Sequence, residues 1–217
     1  MKFKAVLFDL DGTLLDTIED LADSMNSVLK SNELPVHGLE AYKYFVGDGM
    51  KNLVRRALPE SLRNEERTVD KCLELMRKEY EKNWKEKTKP YPGIPALLSA
   101  LTERGLKIAI LSNKPDDLAK RMTSELLGAW RFEAVAGERP PVPRKPDPRA
   151  AIEIAEQLGI PVHEFGYLGD TSTDMLTANS AGMYAVGALW GFRKADELLA
   201  GGAKALIEKP LDLLELI

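Results

Sequence analysis

Residues 5–14 read AVLFDLDGTL, in which four apolar residues are followed by an aspartate, Asp9. Similar short, mainly apolar runs recur at 107–111, 132–136, 165–168 and 183–186. Runs of this kind are typical of strands that are buried on both faces of a sheet. Residues 5–8 are therefore predicted to form the first of five buried strands, with Asp9 at its end.

Helical patterns lie between these predicted strands. They cover residues 94–104, 115–127, 147–158 and 171–181, and a glycine follows each of them. A glycine just after an apolar-periodic stretch is a common signal for the end of a helix. Strands that alternate with helices predict an α/β fold, in which helices cover both faces of a parallel sheet.

Residues 16–88 interrupt this alternation. They contain helical patterns at 17–32, 39–45, 50–58 and 64–87, and no convincing strand. The segment TKPYPG at 88–93 cannot continue a helix because of its two prolines, so it is a natural linker. The chain is therefore predicted to fold as a core, residues 1–15 and 89–217, with a helical domain, residues 16–88, inserted after the first strand.

The composition limits the possible partners. The 217 residues are 44% apolar, and 30 basic residues against 34 acidic ones give a net charge of -4, which provides no general attraction to nucleic acids or anionic membranes. No stretch reaches the ~20 apolar residues of a membrane-spanning helix or has the uncharged run of a signal peptide. The single cysteine, Cys72, fits a reducing compartment. We expect a cytoplasmic protein that binds neither nucleic acid nor membranes.

Two acidic residues, Asp9 and Asp11, follow the first predicted strand. Ligands of open parallel sheets bind beyond the carboxyl ends of the strands, and Gly12 allows a turn that directs both carboxylates to one ligand. The two carboxylates would repel each other unless a cation or a proton lay between them. The pair therefore indicates a divalent metal site with oxygen ligands.

Two further motifs also follow predicted strands. LSNKP at 111–115 places Ser112 and Asn113 before a helix, where they can bind an anion or cap the helix. KPDP at 145–148 restricts the backbone around Lys145. A cation is needed wherever a phosphoryl group meets several aspartates, so Lys145 is a candidate for that role, although a lone lysine is usually solvated.

The fourth motif is GDTSTD at 169–174, again at the end of a predicted strand. Asp170 and Asp174 are four residues apart, so they can address one site from the first turn of a helix. Aspartates are also common at helix N-termini. Helix capping alone does not explain two acidic residues here in addition to Asp9 and Asp11.

Together the four motifs, in this order, resemble those of the haloacid dehalogenase superfamily. The resemblance covers about residues 1–15 and 89–217. It implies a Rossmann-like parallel sheet with strand order 5-4-1-2-3, in which the Asp9 strand is central. It also identifies residues 16–88 as a small α-helical cap domain.

The resemblance implies a phosphatase and assigns a role to each matching position. Asp9 would be the nucleophile and become an aspartyl phosphate, and Asp11 would protonate the leaving alcohol and then activate water. Ser112, Asn113 and Lys145 would hold the phosphoryl oxygens. Retention of Asp11 disfavours a dehalogenase, because cleavage of a carbon–halogen bond needs no proton for an alcohol.

A magnesium ion is the cofactor that the resemblance implies. The side chains of Asp9 and Asp170 and the backbone carbonyl of Asp11 would bind it, with Asp174 in the same shell or acting through a water molecule. Four aspartates and a phosphate dianion would repel one another strongly without this cation and Lys145.

Residues 45–58, FVGDGMKNLVRRAL, look like the cap of phosphoglycolate phosphatases. Lys51 and Arg56 in this segment could contact a substrate carboxylate, or they could be solvated cations on a helix surface. The expected substrate is a small phosphorylated metabolite, 2-phosphoglycolate, and the expected assembly is a monomer or a homodimer.

Three other functions are compatible with the motifs. A mutase of the β-phosphoglucomutase type would return the phosphoryl group to a sugar hydroxyl instead of water. An inorganic pyrophosphatase would use the same scaffold. A receiver-like domain would accept phosphate on an aspartate without turnover, although four complete motifs and a cap argue against it.

Overall fold

The computed structural model describes residues 3–217. Among these residues the chain divides into two compact units. The sheet unit consists of residues 3–15 and 90–217, and the helical unit consists of Asp16–Lys89.

The strands are β1 (Ala5–Phe8), β2 (Leu15–Asp16), β3 (Lys89–Pro90), β4 (Lys107–Pro115), β5 (Ala134–Glu138), β6 (Phe165–Gly169), β7 (Tyr184–Ala188) and β8 (Ala205–Ile207). The α-helices are α1 (Ile18–Ser31), α2 (Leu39–Phe45), α3 (Met50–Ala57), α4 (Glu66–Asn83), α5 (Ile94–Glu103), α6 (Asp116–Leu126), α7 (Arg149–Leu158), α8 (Ser172–Ala181) and α9 (Ala195–Ala200).

The sheet unit is built around a parallel sheet of six strands in the order β5-β4-β1-β6-β7-β8. The predicted α/β class with a parallel sheet is confirmed. Counted along the chain, the strands run 6-5-4-1-2-3, so the order differs from the predicted 5-4-1-2-3 by one added strand, β8. The three residues of β8, ALI, are apolar, but this run is shorter than the four- and five-residue runs that predict the other strands, and only Ile207 is buried.

β1 lies in the centre of the sheet, between β4 and β6. All four of its residues are fully buried, as expected for a strand that is covered on both faces. Phe8, its last residue, is in register with Ile110 of β4 and Leu168 of β6. Residues that directly follow these three positions therefore meet at one edge of the sheet.

Helices of the sheet unit begin and end close to the predicted positions. α8 shows the local reason, because the side chain of Thr171 caps its first turn and Gly182, with φ of 77°, ends it. The buried faces of α7 and α8 pack in one apolar cluster that includes Leu7 and Tyr167 of the sheet. α9 was not predicted, since six residues are too few to show a helical period.

The helical unit contains α1 to α4, and residues 17–88 contain no strand. Helices α1 and α4 pack against each other, with Met25 and Met76 fully buried. Both ends of the unit are tied by Asp20, whose carboxylate is buried and accepts hydrogen bonds from the backbone N–H of Lys87 and from Thr88.

Candidate active site

The site lies at the carboxyl edge of the parallel sheet. Asp9 follows β1, Ser112 lies near the end of β4, and Asp170 follows β6. All three side chains are buried. Because these strands are neighbours and parallel, three motifs that are far apart in sequence converge at this edge.

Lys145 joins two of the aspartates. Its Nζ lies 2.8 Å from Oδ1 of Asp9 and 2.7 Å from Oδ1 of Asp174, and it also donates to the backbone carbonyl of Leu111 at 3.1 Å. The side chain is 2% exposed, so these partners replace its hydration. The predicted neighbourhood of Lys145 and the aspartates is therefore present.

Asn113 fixes the loop that carries this lysine. Its Oδ1 accepts from the backbone N–H of Lys145 at 2.9 Å, and its Nδ2 donates to the backbone carbonyl of Lys145 at 3.1 Å. Paired amide bonds of this kind hold a backbone segment in one orientation. Asn113 thus contacts the residue that was predicted to bind phosphate, and its own contact with a substrate remains a prediction.

Asp170 is held from two sides. Its Oδ1 accepts from the hydroxyl of Thr13 at 2.9 Å, and its Oδ2 accepts from the backbone N–H of Phe192 at 2.8 Å. The indole of Trp190 donates to the carbonyl of Thr13 at 2.9 Å. A Cβ atom at Gly191 would overlap the Asp170 carboxylate, so only glycine allows this close approach.

Asp174 uses all of its acceptor capacity. Its Oδ1 accepts from Lys145 and, at 3.3 Å, from the hydroxyl of Tyr167. Its Oδ2 accepts from the backbone N–H of Thr171 at 3.1 Å and from the Thr171 hydroxyl at 2.7 Å. A carboxylate has about four lone-pair sites, and these bonds occupy all of them.

The electrostatics of the site are dominated by burial. Burial raises the pKa of Asp9 well above its ordinary value, and the nearby Asp174 carboxylate raises it further, while Lys145 opposes both effects. Burial, followed by repulsion from Asp174, raises the pKa of Asp170 to about 7. Burial alone would lower the pKa of Lys145, but the combined interactions with Asp174, Asp9 and Tyr167 outweigh it, so the pKa is raised. The site thus carries more acidic groups than its one bridging lysine can neutralise.

A divalent metal ion fits this arrangement. Oxygen atoms of Asp9, Asp170 and Asp174 can lie within 4.8 Å of one another. Mg²⁺ and Ca²⁺ prefer carboxylate oxygens, and a cation at this place would offset the repulsion that adds to the effect of burial on the aspartate pKa values. The donor atoms of the described residues therefore suit a metal ion.

Asp11, the fourth predicted acidic residue, lies outside this three-aspartate cluster. Both oxygens of its carboxylate lie 3.0 Å from Nζ of Lys114. Its predicted metal contact uses the backbone carbonyl and stays a prediction. No role was predicted for Lys114, although an extended chain directs residues two apart, such as Ser112 and Lys114, to the same side.

No catalytic or binding role was predicted for Trp190 and Phe192, which the sequence suggests are structural. The signal for them was weak: they follow the predicted strand at 183–186 and so lie at the same edge of the sheet as the motifs. Phe192 contacts Asp170 through its backbone N–H, which any residue except proline could provide, whereas the contact of Trp190 uses its indole N–H.

Lys51 and Arg56 lie on α3 in the helical unit. Nζ of Lys51 is 2.7 Å from Oδ1 of Asp70, and Arg56 forms an ion pair with Asp48 and donates to the carbonyl of Phe45. These cations have acidic partners within their own unit. Their contact with a substrate carboxylate stays a prediction.

Comparison with known proteins identifies the family. The family described as haloacid dehalogenase-like hydrolase matches residues 6–188, which include all four motifs. The chain belongs to this family. A phosphoglycolate phosphatase from Aquifex aeolicus is 31% identical over 214 residues, which cover 99% of this chain and 96% of that protein. One from Xanthomonas campestris is 33% identical, with coverage of 99% and 97%.

A solved structure gives the same result for the fold. A crystal structure of a protein from Lactobacillus delbrueckii subsp. bulgaricus matches with a TM-score of 0.92 and 32% identity, over 100% of this chain and 99% of that one. The predicted family is confirmed, and the protein is a phosphatase. Among residues 3–217, none of the helices has the length and apolar character that crossing a bilayer requires.

Proposed function

We propose that this phosphatase hydrolyses 2-phosphoglycolate, with Asp9 as nucleophile and Mg²⁺ as cofactor. The observation that carries the proposal is the buried group formed by Asp9, Asp170, Asp174 and Lys145 at the end of the central strand. The names of the Aquifex and Xanthomonas relatives support the substrate. The helical unit is proposed to serve as the cap.

Asp9 is suited to nucleophilic attack. Its Oδ1 accepts from the backbone N–H of Leu10 at 2.7 Å and contacts Lys145, whereas its Oδ2 accepts no hydrogen bond from the described residues. One oxygen thus fixes the carboxylate and the other can attack. In this first step the Oδ2–phosphorus bond forms, the bond from phosphorus to the ester oxygen breaks, and Asp11 gives its proton to the departing glycolate oxygen.

Hydrolysis of the aspartyl phosphate completes the reaction. A water oxygen attacks phosphorus, the Asp11 carboxylate accepts a proton from that water, and the bond between phosphorus and Asp9 breaks. Inorganic phosphate leaves, and both aspartates return to their starting states. Lys145 and Ser112 are proposed to hold the phosphoryl oxygens that do not react.

Mg²⁺, when bound, would offset the negative charge that phosphate adds to the aspartates. Asp170 accepts one hydrogen bond on each oxygen, so it keeps lone pairs for a metal. Asp174 accepts two on each oxygen, so it would have to give up one of these bonds to contact the metal or a metal-bound water, and its proposed role is to hold Lys145. Asp9 and the backbone carbonyl of Asp11 are proposed to complete the protein ligands.

Release of inorganic phosphate tests the proposal. The panel contains 2-phosphoglycolate, glycerol 1-phosphate, a sugar phosphate, a nucleotide and pyrophosphate, each with Mg²⁺ and with EDTA. We expect 2-phosphoglycolate to give the highest kcat/KM and EDTA to abolish release. A higher kcat/KM for any other member would contradict the substrate, and release that resists EDTA would contradict the metal. Conversion of the sugar phosphate to an isomer would favour the mutase.

The variant Asp9→Asn tests the nucleophile. It is expected to lose turnover completely while keeping the circular dichroism spectrum and the unfolding midpoint of a folded protein. The matched control is Asp196→Asn, because Asp196 is an exposed aspartate of α9. Residual turnover of folded Asp9→Asn near the level of this control would refute the assignment.

A further inference from the structure

The Lys114 side chain is a buried charged group of the sheet unit that the proposed reaction does not use. Its Nζ lies 3.0 Å from both oxygens of Asp11. The side chain is 2% exposed and that of Asp11 is 13% exposed. A buried ammonium group loses its hydration, and this loss must be offset by a close opposite charge. The pair is therefore a fixed element of the site and differs from the exposed ion pairs of the protein surface.

The backbone around Lys114 is also fixed. Lys114 belongs to β4, and its backbone N–H donates to the hydroxyl of Ser112 at 3.2 Å. Three successive residues of this strand are thus assigned to the site: Ser112 is proposed to hold a phosphoryl oxygen, Asn113 bonds to Lys145, and Lys114 bonds to Asp11.

We propose that Lys114 is a positioning residue, which holds the Asp11 carboxylate in the orientation needed for proton transfer. Two equal contacts from one Nζ direct both oxygens of the carboxylate toward the ammonium group and so restrict the side-chain rotamers of Asp11, which could otherwise rotate about its side-chain bonds. Proton transfer requires the acid to lie within about 2.6–3.2 Å of the oxygen that receives the proton. This inference rests on the proposed role of Asp11 in phosphatase turnover.

Esters with different leaving groups test the role. Asp11 must protonate an alkyl alkoxide as it leaves, whereas p-nitrophenolate leaves without help. The variant Lys114→Met should therefore lower kcat/KM about 100-fold for 2-phosphoglycolate and for glycerol 1-phosphate, but change it little for p-nitrophenyl phosphate. The value kcat/KM is used because it reports the steps up to departure of the alcohol. Lys114→Arg, which keeps the charge, should recover part of the loss.

A double variant separates positioning from other roles. If Lys114 acts through Asp11, Lys114→Met should cause little further loss of kcat/KM in an Asp11→Asn background.

The assay with three esters has two outcomes that would overturn the proposal. Equal losses of kcat/KM on all three esters would indicate a general structural effect. A loss confined to 2-phosphoglycolate would indicate binding of the substrate carboxylate. The control is Lys120→Met, which removes an exposed lysine paired with Asp116 on α6.

Crystal structures of wild type and Lys114→Met test the orientation of Asp11 without an activity assay. We expect the Asp11 carboxylate to adopt a different rotamer, or several, in the variant. The same single rotamer in both structures would overturn the positioning role even if the enzyme is active. If the wild type released phosphate from none of the esters, the proposed function would fail separately, and the two crystal structures would still decide whether Lys114 orients Asp11.

Discussion

Replacement of Asp170 by asparagine should stabilise the metal-free protein at neutral pH while it weakens metal binding. Burial, followed by repulsion from Asp174, raises the pKa of Asp170 from its ordinary value of 3.8 to about 7. The folded protein therefore favours the protonated, neutral form of this residue. Asparagine resembles that neutral form in shape and has no charge to bury.

The sign of the pH dependence follows from proton uptake. Between pH 3.8 and about 7 the folded protein binds a proton at Asp170 that the unfolded chain releases, so the free energy of unfolding falls as the pH rises through this range. The difference between the two pKa values corresponds to about 4 kcal/mol above this range. At pH values below 3.8 the residue is protonated in both states and the penalty vanishes.

Asparagine also changes two hydrogen bonds. Its Oδ1 can still accept from the N–H of Phe192, and its Nδ2 can donate to the hydroxyl of Thr13, which is able to accept. We assign a cost of about 1 kcal/mol to this exchange. Asp170→Asn should therefore be more stable than wild type by about 3 kcal/mol near neutral pH and above, and slightly less stable at acidic pH.

Urea unfolding in EDTA, at several pH values between about 5 and 8, measures this difference. Asp196→Asn serves as the control for the loss of an aspartate outside the site. Adding Mg²⁺ should raise the midpoint of wild type far more than that of Asp170→Asn, because a ligand stabilises only the state that binds it. A stability difference that does not change with pH would refute the reasoning about Asp170.

Two other variants test how the site is held together. Thr13→Val removes the hydroxyl that orients Asp170 and should weaken Mg²⁺ binding about 10–100-fold in calorimetric titration, with Thr102→Val, whose hydroxyl bonds a helix carbonyl, as a control without effect. Asn113→Ala releases the loop that carries Lys145 and should lower kcat about 100-fold in phosphate-release assays, whereas an unchanged kcat would show that this loop keeps its position without the amide.

The sequence predicts the buried strands of the sheet, because burial on both faces requires a run of apolar residues. The apolar run at 5–8 was predicted to be a buried strand because a strand covered on both faces has apolar residues throughout, and β1 has that environment. β8 consists of three apolar residues, ALI, at the edge of the sheet, and a run this short is not distinguishable from apolar residues of a loop. Sequence periodicity fails for short elements at the margin of the sheet.

The contacts within the site could also be predicted only in part, because they join residues that are far apart in the sequence. Asp9 and Asp170 could be expected at one edge because each follows a predicted strand. The partner of Asp11 could not be predicted, since Lys114 is 103 residues away and only the pairing of β1 with β4 brings the two together. The contact of Phe192 with Asp170 uses a backbone N–H, which no side-chain motif records.

Asp174 shows why a choice between capping and function cannot be made from a motif. The sequence allowed either a helix cap or a site residue at this position. In the structure one oxygen of Asp174 caps α8 through Thr171, and the other binds Lys145. The cap fixes the carboxylate rotamer, and a fixed rotamer holds the lysine that contacts Asp9. Helix capping therefore contributes directly to the geometry of the proposed nucleophile, so the two interpretations describe one arrangement.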